Sequence, residues 1–175
     1  ISKFDLYTPE ELSEILKRSA RILDVETDEE SRVMLAERSR GTPRVANRLL
    51  KRVRDFAQVL GSGRIDPQTV DSALNALGID ELGLEELDRR ILTLIIEQFQ
   101  GGPVGIDTIA ASIGEERVTI EDAYEPFLLQ SGMLNRTLKG RMASINAYRH
   151  LGIEPPEREE PELEDNADDG EQLTL

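Results

Sequence analysis

Apolar side chains recur at helical spacing through most of this chain, and the runs are broken at short intervals by capping residues, prolines and glycines. Thr8-Pro9-Glu10-Glu11 is a capping box with proline at the first helical position. Leu12, Ile15, Leu16, Ser19, Ile22 and Leu23 follow it at helical spacing, which predicts a helix over residues 9–23. Thr27 with Glu30 repeats the capping pattern before Val33, Met34, Leu35 and Ala36, a short second helix ending near Ser39. Gly41-Thr42-Pro43 opens a third, with Val45, Leu49, Val53, Phe56 and Leu60 as its buried stripe. Asp66-Pro67 opens a fourth, carrying Val70, Ala73, Leu74 and Leu77 to a stop at Gly78. The pattern to that point predicts one small helical bundle, followed by a short connector over residues 79–84.

A longer helix is expected over residues 85–100, with Leu87, Ile91, Leu94, Ile95 and Phe99 inward, until Gly101-Gly102-Pro103-Val104-Gly105 breaks it. That glycine-rich loop follows a helix and lacks the Lys-Ser/Thr of a phosphate loop, so it reads as a turn. A short helix capped by Asp107 runs to Ile113, and another runs from Thr119 to Ser131 through Ala123, Phe127 and Leu128. Pro126 removes a hydrogen bond inside the latter and predicts a bend or a break. Two strands, residues 133–137 and 141–144, are joined by Leu138-Lys139-Gly140, and a closing helix covers residues 145–151. Three helices and a hairpin in this order predict a winged helix.

The fold class expected is therefore mainly α, a helical domain (residues 1–78), a winged helix with a short β-hairpin wing (79–153) and an acidic, proline-containing tail (154–175). Disorder is the expectation for the tail. Cysteine is absent and His150 is the single histidine, which excludes disulfides, thiolate metal sites and a zinc constellation. No apolar run approaches the length of a membrane span and the N-terminus lacks the pattern of a secretion signal, so a cytoplasmic protein is expected. The initial Ile1 suggests a start within a longer polypeptide.

Formal net charge is -14, but residues 154–175 carry ten carboxylates against Arg158 alone and hold most of it. Residues 38–64 reverse the sign, with eight basic residues against Asp55. Arg44 falls in the first turn of the third helix, where unpaired N–H groups point, a position suited to meeting an anion and poor for helix stability. A solvated basic face is the plainer account of the same residues. From Pro126 to Ile153 there is no Asp or Glu, while Arg136, Lys139, Arg141 and Arg149 are present, and Arg117 precedes the helix beginning at Thr119. Positive charge on a hairpin beside a helix start suits contacts to a nucleic-acid backbone. Tyr124, Phe127 and Tyr148 sit at core positions, so stacking on unpaired bases is not expected.

Several strings carry a family resemblance: Leu6-Tyr7-Thr8 with Glu10-Glu11-Leu12, Arg18-Ser19-Ala20, residues 38–55, Gly114-Glu115-Glu116-Arg117, Glu125-Pro126 and Gly140-Arg141. Over residues 1–153 the chain resembles the carboxy-terminal part of the RuvB family, AAA+ ATPases that drive branch migration of Holliday junctions in recombination and repair. The resemblance implies that Arg44 is the second-sensor arginine reaching the terminal phosphate of ATP, with Tyr7 and Pro43 by the adenine. It implies that Arg117, Arg136 and Arg141 contact DNA, with Lys139 a further phosphate contact on the wing. It also implies a homo-hexamer on the duplex arms of the junction, the partner RuvA engaged through a large domain, and ATP with Mg2+ as cofactors of the intact motor. Met133 stands where the family usually has Phe, and Leu138-Lys139 where it commonly has Pro and Arg.

No GxxxxGK[ST] loop is present and no strand ends in acidic residues that could hold Mg2+, so no catalytic residue is expected in this segment. Alone it should not hydrolyse ATP. The alternative from another class is a non-enzymatic regulator that reads DNA sequence with the winged helix and uses the helical domain as a protein adaptor.

Overall fold

The computed structural model describes residues 6–60 and 62–157. Of the acidic tail, residues 158–175 lie outside the described residues. The chain forms two compact units, Ile1–Ile91 and Leu92–Leu175.

In the first unit α1 (Pro9–Ile22), α2 (Glu29–Glu37), α3 (Pro43–Val59) and α4 (Pro67–Ala76) pack around one core. The Thr8 capping box forms as expected, with the Thr8 side chain accepting from Glu11 N and Glu11 Oε2 accepting from Thr8 N. Leu12, Leu16 and Ala20 are the buried face of α1, while Ile22 is exposed. The stripe of α3 is Ala46, Leu49, Leu50, Val53 and Ala57. It lies partly off the expected one: Val45 and Phe56 are only half-buried and Leu60, past the last turn, is exposed.

The cap of α2 is Asp28 in place of Thr27. Thr27 is held extended because Glu26–Thr27 (β1) pairs in parallel with Arg64–Ile65 (β2), a two-residue contact that periodicity cannot reveal. The connector is ordered by Asp80, whose Oδ1 accepts from Leu82 N and Leu84 N at 3.0 and 2.9 Å.

Helix α5 (Glu86–Phe99) buries Ile91, Leu92, Leu94, Ile95 and Ile96, with Leu87 and Phe99 half-buried. In the second unit, α6 (Ile106–Ile113) begins at Gly105, so Asp107 lies within its first turn and does not cap it. The next helical segment starts at Arg117, two residues earlier than expected, as α7 (Arg117–Thr119). It continues as a π-turn over Ile120–Tyr124 and resumes as α8 (Glu125–Gln130) with Pro126 in its first turn. Glu125 N–H donates to Ile120 C=O, an i→i−5 bond. The break expected from Pro126 thus takes the form of one wide turn immediately before it. The turn also swings Ala123, expected inside, to the surface.

Strands β3 (Leu134–Thr137) and β4 (Gly140–Ala143) pair antiparallel with Arg136 opposite Arg141, and α9 (Ile145–His150) follows. The glycine-rich break has a further role, since Val104 pairs with Arg141 and Ala143 N donates to Gly101 O at 3.0 Å, giving β4 a neighbour on its other edge. Gly140 must lack a side chain there, because a Cβ would lie 2.5 Å from Val104 O.

Candidate functional site

The turn before α3 is built by local rules. Thr42 caps the helix, its side chain accepting from Val45 N at 3.3 Å, and Pro43 takes the first position. The preceding Arg40 and Gly41 are both left-handed, with φ of 56° and 70°. Tyr7 N donates to Gly41 O at 2.9 Å, which straps the segment before α1 across this turn. The approach is close enough that a Cβ on Gly41 would fall 2.6 Å from Leu6 Cβ. Tyr7 and the Pro43–Arg44 helix start, far apart in sequence, are thereby brought to one place. Both Tyr7 and Arg44 present their side chains to solvent.

Beneath the turn Arg40 makes a two-point contact with Asp88, at 2.7 and 3.2 Å. Asp88 is fully buried and also accepts from Glu85 N at 2.8 Å, satisfying an end of α5. Burial pushes its pKa above the ordinary aspartate value, against the Arg40 hydrogen bond and charge that pull it down. The pair therefore fixes the turn at an electrostatic cost.

Elsewhere the basic stretch is partly neutralised: Arg48 meets Glu85 at 3.4 Å, Arg54 meets Asp55 at 2.9 Å and Arg64 meets Glu26 at 3.7 Å. Among the described residues no group of three or more His, Cys, Asp or Glu is placed to hold a metal ion.

In the second unit the four expected DNA-contacting residues are placed differently from one another. Arg117, half-exposed at the start of α7, bonds Glu121 at 2.9 Å and Asp107 at 3.2 Å. The Glu121 hydrogen bond and the charge of Asp107 push its pKa up, so it stays a cation. Arg136 Nη2 lies 2.6 Å from Glu125 Oε1, and Arg141 Nε lies 2.7 Å from Glu125 Oε2. The Arg136 side chain remains 58% exposed, whereas that of Arg141 is 12% exposed. Lys139 is exposed at the hairpin tip beside Leu138.

Sequence reasoning missed the two buried carboxylates that organise both places, Asp88 and Glu125. A signal existed for Asp88, which sits on the stripe Leu84, Asp88, Ile91, Ile95, where helical spacing calls for an apolar residue. Glu125 closes the carboxylate-free run from its N-terminal side, one residue before it begins.

Four packed helices followed by further helical segments and a β-hairpin are the arrangement of an AAA lid joined to a winged helix. The chain belongs to the RuvB family: residues 7–80 match the RuvB AAA lid domain and residues 81–152 the RuvB C-terminal winged helix domain. It is 56% identical over 156 residues to the Holliday junction branch migration complex subunit RuvB of Treponema denticola, covering 89% of this chain and 46% of that protein. It is 57% identical over 152 residues to the subunit of the same name from Rubrobacter xylanophilus, covering 87% of this chain and 43% of that one. Among solved structures, the Thermotoga maritima RuvB Holliday junction branch migration motor superposes with a TM-score of 0.85 at 50% identity, over 87% of this chain and 51% of that one. The chain spans about half the length of the curated relatives it matches. Among the described residues no helix is long and apolar enough to cross a membrane.

Proposed function

We propose that this chain is the carboxy-terminal segment of an ATP-dependent motor that drives Holliday junction branch migration, with residues 1–78 sensing the nucleotide and residues 79–153 holding duplex DNA. Residues 154–175 form an acidic tail outside both roles. The observation that carries the reading is the Tyr7–Gly41 strap, which ties the backbone of Tyr7 to the turn that opens α3, where Arg44 is exposed at a capped helix start. Tyr7 and Pro43 form an apolar wall for the adenine, and Arg44 supplies positive charge to the terminal phosphate. ATP brings the phosphoryl group whose loss Arg44 detects. The phosphate loop and the Mg2+ ligands belong to a large domain that completes the pocket in the intact motor, where the ring is a homo-hexamer and RuvA is the junction-binding partner.

On the winged helix, Arg117, Arg136 and Lys139 offer charge to the phosphate backbone and read no bases, which suits a motor that must move over any sequence. Arg141 stands behind them. Joined to the ATPase half of the Thermotoga maritima relative, this chain should restore DNA-stimulated ATP hydrolysis and junction migration. Arg44→Ala should leave the lid folded and lower turnover on the order of 100-fold, as the loss of one transition-state donor does. Turnover near the unmutated rate would remove Arg44 from the sensor role.

A further inference from the structure

We infer that Glu125 is a positioning residue that divides the charge of the wing, committing Arg141 to the interior and leaving Arg136, with Lys139, to meet the phosphate backbone. The inference rests on the DNA reading proposed above, and its basis is the geometry around one carboxylate. Arg136 and Arg141 are directly opposed across β3 and β4, where two like charges would repel. Glu125, its side chain 4% exposed, reaches both from α8: Oε1 accepts from Arg136 Nη2 at 2.6 Å, and Arg141 donates from Nε to Oε2 at 2.7 Å and from Nη2 to Oε1 at 3.2 Å.

The two arginines are not used alike. Arg141 gives Nε and one terminal nitrogen to Glu125 and is almost covered, so little of it is left for a ligand. Arg136 gives one terminal nitrogen and stays more than half exposed, with its remaining N–H donors unspent on Glu125. Held by one end, it presents the others in a fixed direction, which lowers the entropy cost of ordering it on a phosphate. The wing therefore shows DNA about one arginine, although the sequence supplies two.

The test maps guanidinium accessibility and phosphate contacts on the same full chain. Phenylglyoxal labelling read by mass spectrometry should modify Arg136 and spare Arg141, and Glu125→Gln should make Arg141 reactive. Duplex DNA should slow labelling of Arg136 several-fold. In duplex titrations across salt, Arg136→Met should flatten the slope of log K against log salt by about 0.9, the value of one neutralised phosphate. Arg141→Met should leave the slope unchanged. That variant keeps Glu125 paired with Arg136, and circular dichroism checks that it is folded before titration. Arg141 labelling as fast as Arg136 in the unmutated chain, or Arg141→Met flattening the slope as much as Arg136→Met, overturns the inference. If Glu125→Gln unmasks Arg141 while duplex neither protects Arg136 nor binds at low salt, the division of charge stands and the DNA reading falls.

Discussion

Replacing Arg40 by Ala strands Asp88, a fully buried carboxylate that would keep the Glu85 N–H as a hydrogen-bond donor but lose both bonds from the guanidinium. Breaking a buried ion pair by removing one partner costs about 3–5 kcal/mol, because the remaining charge is uncompensated. For a domain of this size each kcal/mol lowers the melting temperature by about 4–8 °C, so the first unit should melt more than about 12 °C lower near neutral pH. The sign of the pH dependence follows from Asp88. Its folded-state pKa already lies above the ordinary value of 3.8 because burial outweighs Arg40, and loss of Arg40 raises it further. A raised carboxyl binds its proton more tightly folded than unfolded, so the penalty is absent below the unfolded value and grows as pH rises through the folded one. Urea unfolding followed by circular dichroism, from neutral pH down to about pH 4, should therefore show the gap between variant and unmutated chain closing with acid. Arg40→Gly should cost about 1 kcal/mol less than Arg40→Ala, since glycine is at ease at the left-handed φ of this position. A loss under about 1 kcal/mol at neutral pH, or one that acid does not shrink, refutes the reasoning.

The remaining expectations are simpler. Residues 1–175 alone should release no phosphate from ATP with or without duplex DNA; turnover that survives purification and persists in Arg44→Ala would contradict the placement of the catalytic groups elsewhere. Thr42→Ala removes the cap of α3 and should cost about 1 kcal/mol in urea unfolding, with a smaller loss indicating that Pro43 alone fixes the helix start. Asp66, which accepts from Thr69 N at 2.8 Å, has a pKa lowered chiefly by that backbone hydrogen bond. Its contribution is present above the ordinary value of 3.8 and is lost as pH falls through the lowered one, so Asp66→Asn should flatten the acid limb of the stability profile, and an unchanged limb would count against it.

The helices were legible because each announces itself locally: Thr8, Thr42 and Asp66 cap, proline follows each, and the observed starts coincide. The exposed members of the candidate sites were legible for the same reason, since Arg44 needs only a helix start to be noticed. What escaped depends on partners distant in sequence. Thr27 was expected to cap α2 and instead pairs with Ile65, and Asp107 was expected to cap α6 and instead meets Arg117. Glu125 looks like an ordinary solvated acid until Arg136 and Arg141 are placed against it, and Asp88, though it interrupts an apolar stripe, shows no partner until Arg40 is. The roles proposed for Tyr7 and Pro43 come from the family resemblance, since residue patterns alone do not suggest them.

The π-turn at Ile120–Tyr124 makes the second unit sensitive to chain length in an asymmetric way. An α-helix advances about 100° per residue, and the wide turn is what one surplus residue looks like when the hydrogen-bond ladder absorbs it. Rewinding these residues as ordinary α-helix with none removed would give a more regular ladder at unchanged chain length. It would also rotate everything before Pro126 against everything after it by roughly a quarter turn, so that α7 and α8 could no longer both keep their present faces. Arg117 and Glu125 would then be out of phase with one another, one tied to Asp107 and the other lodged under the hairpin. Local irregularity in the ladder is thus the condition for global alignment of two arginine anchors, and drift toward an ideal helix at this point is barred although the ladder would become more regular.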